Sequence, residues 1–172
     1  MCSPNLLLAR TNRKIIRSIN FRINPLSANI ILFIGLFLCN SVIAADFEVN
    51  KNWRSIAIKG YDTVAYFTMG KAVKGKSKYE HKWQNARWRF SSNKHKEMFQ
   101  ENPDLYAPRF GGFCAGGISI GQKAPIDPKA WLIVDGKLYL NYDKKTREDL
   151  KASTKATIDK ANKNWKILGE TQ

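Results

Sequence analysis

Tyr79-Glu-His-Lys-Trp-Gln-Asn-Ala-Arg-Trp-Arg-Phe90 decides the fold class. Apolar and charged residues alternate on both sides of Gln84-Asn85. A two-residue turn there pairs Trp83 with Ala86, His81 with Trp88 and Tyr79 with Phe90. Asn85 tolerates the left-handed conformation that such a turn requires. One face then carries Tyr79, His81, Trp83, Ala86, Trp88 and Phe90, and the other Glu80, Lys82, Arg87 and Arg89. This period-two pattern predicts an antiparallel hairpin with one buried face and a charged face that tolerates substitution. A second hairpin is predicted over 130–142 about Asp135-Gly136, with Trp131 opposite Leu140 and Ile133 opposite Leu138 on its core face.

Helical periods frame the two hairpins. Ser91-Ser92 caps a predicted helix that runs to Asn102, where Pro103 stops it. Met98 and Phe99 face the core from this helix, and His95 lies one turn before them. From Asp143 to Leu168, the residues Leu150, Thr154, Ile158, Ala161, Trp165 and Leu168 recur at three- and four-residue steps. They predict one C-terminal helix with most of its lysines off the apolar stripe. Upstream, 56–67 reads as a short strand, a break at Gly60, then a helical turn or second strand. The expected fold is α+β: a small antiparallel sheet of two β-hairpins packed against a short central helix and a C-terminal helix.

The first 45 residues differ from the rest. They hold Arg10, Arg13, Lys14, Arg17 and Arg22, no acidic residue, an apolar run from Ile30 to Leu38, and the small-residue exit Val42-Ile-Ala-Ala45. Basic region, short apolar core and small exit make a signal peptide over 1–45. The run falls short of the roughly 20 residues of a membrane span. The alternative is an uncleaved N-terminal anchor. The domain then covers 46–172, periplasmic or secreted, without a transmembrane span. Cleavage is expected after Ala44 or Ala45. The intact mass of protein from its native envelope checks this, and a mass that retains 30–38 would mean an anchored chain.

Cleavage also removes Cys2 and Cys39, so Cys114 becomes the lone cysteine. Such a thiol is buried, paired with another molecule, bound to a ligand, or reactive. Of the chain's 29 basic residues five leave with the leader, so 24 remain against 14 acidic ones, a net charge of +10. That favours acidic or anionic partner surfaces. The lysines are spread along the chain and no nucleic-acid motif accompanies them, so no nucleic acid is expected.

Cys114 lies in Tyr106-Ala-Pro-Arg-Phe-Gly-Gly-Phe-Cys-Ala-Gly-Gly-Ile-Ser-Ile-Gly121, which holds five of the chain's eleven glycines. Gly111, Gly112, Gly116 and Gly117 are expected to shape this loop, because glycine admits positive φ and close backbone approach. Thiolate and imidazole suit soft metals. The candidate ligands are Cys114 and His81, with His95 the weaker one, and copper or another soft ion is the candidate cofactor. No close ligand pair occurs, so a closed structural zinc site is not expected. Packing is the competing reading for both histidines, and His81 is expected to keep one ring nitrogen hydrogen-bonded beside Trp88. A Cys–His nucleophile is weakly signalled, and Gly117 to Lys123 misses the phosphate-loop spacing. Trp83, Trp88, Trp131 and Trp165 fall at core periodicities rather than on a ligand platform.

Gly60-Tyr-Asp-x-Val-Ala-Tyr-Phe67, Trp88-Arg-Phe-Ser-Ser92, Tyr106-Ala-Pro-x-Phe-Gly-Gly-Phe-Cys-Ala115 and Asp135-Gly-Lys-Leu-Tyr-Leu-Asn-Tyr142 together resemble the exported, stand-alone YHS-domain proteins of bacteria. The resemblance runs from Ile56 to Trp165. Related short modules in heavy-metal ATPases and some oxygenases imply metal handling. Selenocysteine in some relatives at the position of Cys114 implies a reactive or metal-binding chalcogen. Two departures stand out. Ala65, Ser91 and His95 occupy positions where the metal-associated modules carry cysteines, so that thiolate site does not carry over. Gly116-Gly117 also follows Cys114, and two glycines cost a helical turn about 1 kcal/mol each, which weakens the case for a helix starting at the cysteine. The expected function is an extracytoplasmic module that binds or handles a soft or heavy metal through Cys114; the alternatives are a thiol-redox protein or sensor acting through Cys114 and a non-catalytic adaptor with a structural cysteine. A self-contained dithiol enzyme is disfavoured because no resolving thiol exists.

Overall fold

Two hairpins carry the strands of the computed structural model, which describes residues 48–170. The signal peptide expected over 1–45 and its expected cleavage site lie outside the described residues. Strand β1 (Lys76–Trp83) pairs antiparallel with β2 (Ala86–Phe90), and β3 (Asp127–Val134) with β4 (Lys137–Asn141). Both turns take the conformation their residues predict. Gln84 and Asn85 have φ of 45° and 52°, and Asp135 and Gly136 of 49° and 68°. Two consecutive positive φ values are what the favoured hairpin turn demands. Trp83 pairs with Ala86 and His81 with Trp88, as the alternation requires.

The expected pairing of Tyr79 with Phe90 is not formed. The register shifts between Lys76 and Glu80, and Phe90 pairs with Lys76 instead. Just upstream, Gly75 lies so close to Arg89 that a Cβ there would overlap the Arg89 backbone, and its amide donates to the Gly60 carbonyl at 3.0 Å. The strand bends where the chain is pinned at this approach. The two hairpins form separate sheets rather than one, joined by side-chain packing. The predicted N-terminal strand reduces to single bridges, Ile56 to Arg87 among them. The stretch 56–67 resolves into a 3-10 turn at Ile58–Gly60 and helix α1 (Thr63–Thr68).

Helix α2 (Asn93–Glu101) starts where the serine pair places it, with the Ser92 hydroxyl accepting from the His95 amide at 3.2 Å. Pro103 ends it and opens the single turn α3 (Pro103–Tyr106). Helix α4 (Ala115–Ser119) follows the glycine turn. The predicted C-terminal helix is two: α5 (Lys144–Ala152) and α6 (Thr154–Glu170), broken at Ser153. Ser153 has φ −131° and ψ 40°, and its hydroxyl bonds the Asp149 carbonyl, a local alternative to the helical ladder. The apolar stripe survives the break, with Leu150 and Ala161 buried and Ile158, Trp165 and Leu168 packed beside them. At the start of α5 the Asp143 carboxylate accepts from the Thr146 amide at 2.7 Å, which holds that carboxyl below its usual range.

Strand β4 separates two cores. Leu138 and Leu140 belong to a cluster with Ile58, Val64, Tyr66, Trp88, Phe90, Phe99 and Cys114. Tyr139 points into another, with Phe110, Ala115, Ile118, Leu150 and Ala161. The Tyr66 hydroxyl donates to the Pro128 carbonyl at 2.8 Å, and burial raises its pKa well above the tyrosine norm.

The glycine turn is fixed by close approach. Gly111 has φ 59°, and a Cβ there would overlap the Glu48 carbonyl oxygen. Its own carbonyl accepts from the Asn50 amide at 2.9 Å, which ties the N-terminal lead-in to the turn. Gly136 also has positive φ, at 68°, but nothing lies within 4 Å. In urea denaturation Gly136→Ala should cost about 1 kcal/mol, from the backbone alone, and Gly111→Ala at least about 3 kcal/mol. Equal costs would mean that the approach to Glu48 is absent in solution.

Candidate functional site

Cys114 stands where three elements meet. It is the N-cap of α4, it bridges Leu140 of β4 in parallel fashion, and its amide donates to the Ala124 carbonyl at 3.2 Å. Its sulfur accepts two backbone hydrogen bonds. The Gly117 amide donates at 3.4 Å and the Tyr142 amide, just beyond β4, at 3.2 Å. The residue is 1% exposed and belongs to the first core cluster. It also lines a cleft of about 390 Å³ together with Gly117, Tyr142, Thr146, Asp149 and Ser153.

The helix that the glycine pair was expected to weaken does form. Gly116 and Gly117 serve contact here. A Cβ at Gly116 would come within 2.6 Å of Thr146 Cγ2, and one at Gly117 within 2.9 Å of the Gln122 carbonyl oxygen. Two bonds from the Asn164 amide, each 3.0 Å, reach the Ile118 and Ser119 carbonyls and hold the far end of α4 to α6. The entropic cost of two glycines is offset by close packing of the helix against α5 and α6.

Neither histidine lines the cleft of Cys114. His81 is half-buried on β1, edge-on to Phe99 at 6.3 Å, with Nδ1 3.3 Å from Gln100 Nε2. It keeps the expected ring hydrogen bond. His95 belongs to a polar knot that the sequence reading missed. Its Nδ1 lies 2.7 Å from Oδ2 of Asp62, a carboxylate with no exposure. The same Oδ2 accepts from the Ser91 amide at 2.7 Å and the Ser91 hydroxyl at 2.6 Å. Oδ1 caps α1, accepting from Val64 and Ala65 at 3.0 and 3.2 Å. An aspartate directly before the apolar turn of α1 was the signal for this cap. The rest of the knot joins residues about 30 positions apart and leaves no local trace.

Cys114 is the only described thiol, and among the described residues no three His, Cys, Asp or Glu side chains are placed to share an ion. Thiolate, thioether and imidazole are the donors that suit a soft cation, and neither candidate imidazole lines the cleft of Cys114. The arrangement instead presents a single sulfur, with two N–H groups aimed at it, beside a cleft rimmed by hydroxyls. No helix among the described residues is long and apolar enough to cross a membrane. No family model, curated protein or solved structure matches the chain.

Proposed function

We propose that the protein is an extracytoplasmic YHS-like module that acts through Cys114 as a single-thiol redox protein or sensor. The pair of amide donors on the Cys114 sulfur carries this reading. The two amides hold the sulfur in one position at the start of α4, beside the cleft through which a disulfide would reach it. Thiolate is the attacking species in exchange with disulfides. The co-reactant is a small or protein disulfide. The sulfur of Cys114 forms a new S–S bond with one of its sulfurs, the old S–S bond breaks, and the other sulfur leaves as a thiolate that takes up a proton. Cys114 is oxidised and the leaving sulfur is reduced. With no second described thiol to resolve it, the mixed disulfide persists until an external thiol attacks it. Such a centre senses or carries a redox state rather than turning over alone. The expected export signal and the family resemblance support the reading, since a thiol outside the cytosol meets disulfides.

The test is incubation of native protein with 2-hydroxyethyl disulfide, followed by intact-mass measurement. One thiol adduct is expected on the wild type, removable by dithiothreitol, and none on Cys114→Ser. An adduct formed only in denaturant would end the redox reading and leave a structural cysteine. Protection of the thiol by stoichiometric Cu(I) would return the metal reading to first place.

A further inference from the structure

A second cleft, of about 550 Å³, lies between the first hairpin turn, the Pro108–Gly111 turn and α6. Its size suits a small molecule. Four aromatic rings line it: Trp83, Trp88, Phe110 and Trp165. They stand as two tilted pairs, Trp83 with Trp88 at 5.8 Å and 59°, and Phe110 with Trp165 at 6.0 Å and 63°. The Trp88 ring is fixed, with Nε1 donating to the Trp83 carbonyl at 3.0 Å. Trp83 and Trp165 are half-buried rather than enclosed, in contrast to the core position their periodicity predicts.

Charge selects the ligand. Arg109 and Lys166 both line the cleft and are exposed. Neither side chain has a hydrogen-bond or ion-pair partner among the described residues. Arg109 springs from a fixed point, since its amide donates to the Leu138 carbonyl at 2.8 Å and the next residue is the buried Phe110. One carboxylate, Asp104, also lines the cleft, so the cations outnumber it. We infer that this cleft binds a planar aromatic carboxylate, with its ring against the indoles and its carboxylate on Arg109 and Lys166. Indole faces favour a flat π-system, and a guanidinium matches a carboxylate in geometry as well as charge. Cationic aromatics are repelled by the same two side chains. An aliphatic acid would forfeit the stacking.

The probe is 2-naphthoate, titrated into the protein by calorimetry with chemical-shift mapping of the indole N–H signals. Saturable one-site binding is expected, with the Trp83 and Trp165 indoles shifting. The neutral analogue 2-naphthylmethanol should bind about tenfold more weakly or worse, as should 2-naphthoate to Arg109→Gln or Lys166→Gln. Both substitutions are at exposed positions and leave the aromatic walls in place, so the fold survives them. Trp165→Leu should weaken naphthoate and naphthylmethanol alike. Absence of saturable 2-naphthoate binding would overturn the inference, and so would equal affinity for acid and alcohol or for wild type and the Arg109→Gln, Lys166→Gln double variant.

Discussion

Asp62→Ala should destabilise the protein by about 3–5 kcal/mol, a cost typical of stripping one partner from a buried charged network. The carboxylate has no exposure and accepts from three backbone amides, one hydroxyl and one imidazole. Each donor left without it is buried or half-buried, and an unsatisfied buried donor costs about 1–3 kcal/mol. His95→Ala removes only one of these partners from a site 12% exposed, so it should cost closer to about 1 kcal/mol. Asp62→Asn keeps the shape but turns an amide group toward donors, and it should resemble the alanine variant more than the wild type. Chemical denaturation orders the three. Equal losses for Asp62→Ala and His95→Ala would show that the carboxylate is not the hub that joins α1, β2 and α2.

Trp88→Ala should cost a similar amount, about 3–5 kcal/mol, as large aromatic truncations in cores do. The side chain is 1% exposed and stacks on Phe99 at 5.4 Å and 29°. It also supplies the hydrogen bond that closes the first hairpin turn. Lys82→Ala, on the exposed face of the same hairpin, should stay within about 0.5 kcal/mol. Arg87 is not equivalent to Lys82, although both fall on the charged face. Its Nε and Nη2 donate to the Arg54 carbonyl at 3.1 and 2.7 Å, which ties β2 to the N-terminal lead-in. Arg87→Ala should therefore cost about 1 kcal/mol. A Lys82→Ala loss matching that of Trp88→Ala would mean that the register is displaced by one residue, since such a slip exchanges the two faces.

The elements legible in the sequence are those written in local chemistry. Gln84-Asn85 and Asp135-Gly136 encode their turns, alternation encodes the first hairpin's buried face, and Ser92 encodes the start of α2. What stayed hidden depends on distant approach. The bulge after Gly75 is set by Arg89, and the glycines beside Cys114 answer to Thr146 and Gln122. Strand β4 is buried on both faces because helices cover one and the first hairpin's core the other, so its alternation carries no polar mark. The site divides in the same way. Cys114 was visible as the cysteine of a glycine-rich loop, the one that the expected cleavage would leave. Its two donors come from Gly117 and from Tyr142, the latter 28 residues away, and only the folded chain brings that amide to the sulfur.

Cys114 is expected to react in the native state although it packs at the edge of the core. The rate of iodoacetamide alkylation, followed through a series of low denaturant concentrations, decides this. Local access through the cleft should give a rate that exceeds global unfolding and hardly changes until the unfolding transition begins. A rate that rises with denaturant in step with the unfolded population would make Cys114 a structural residue.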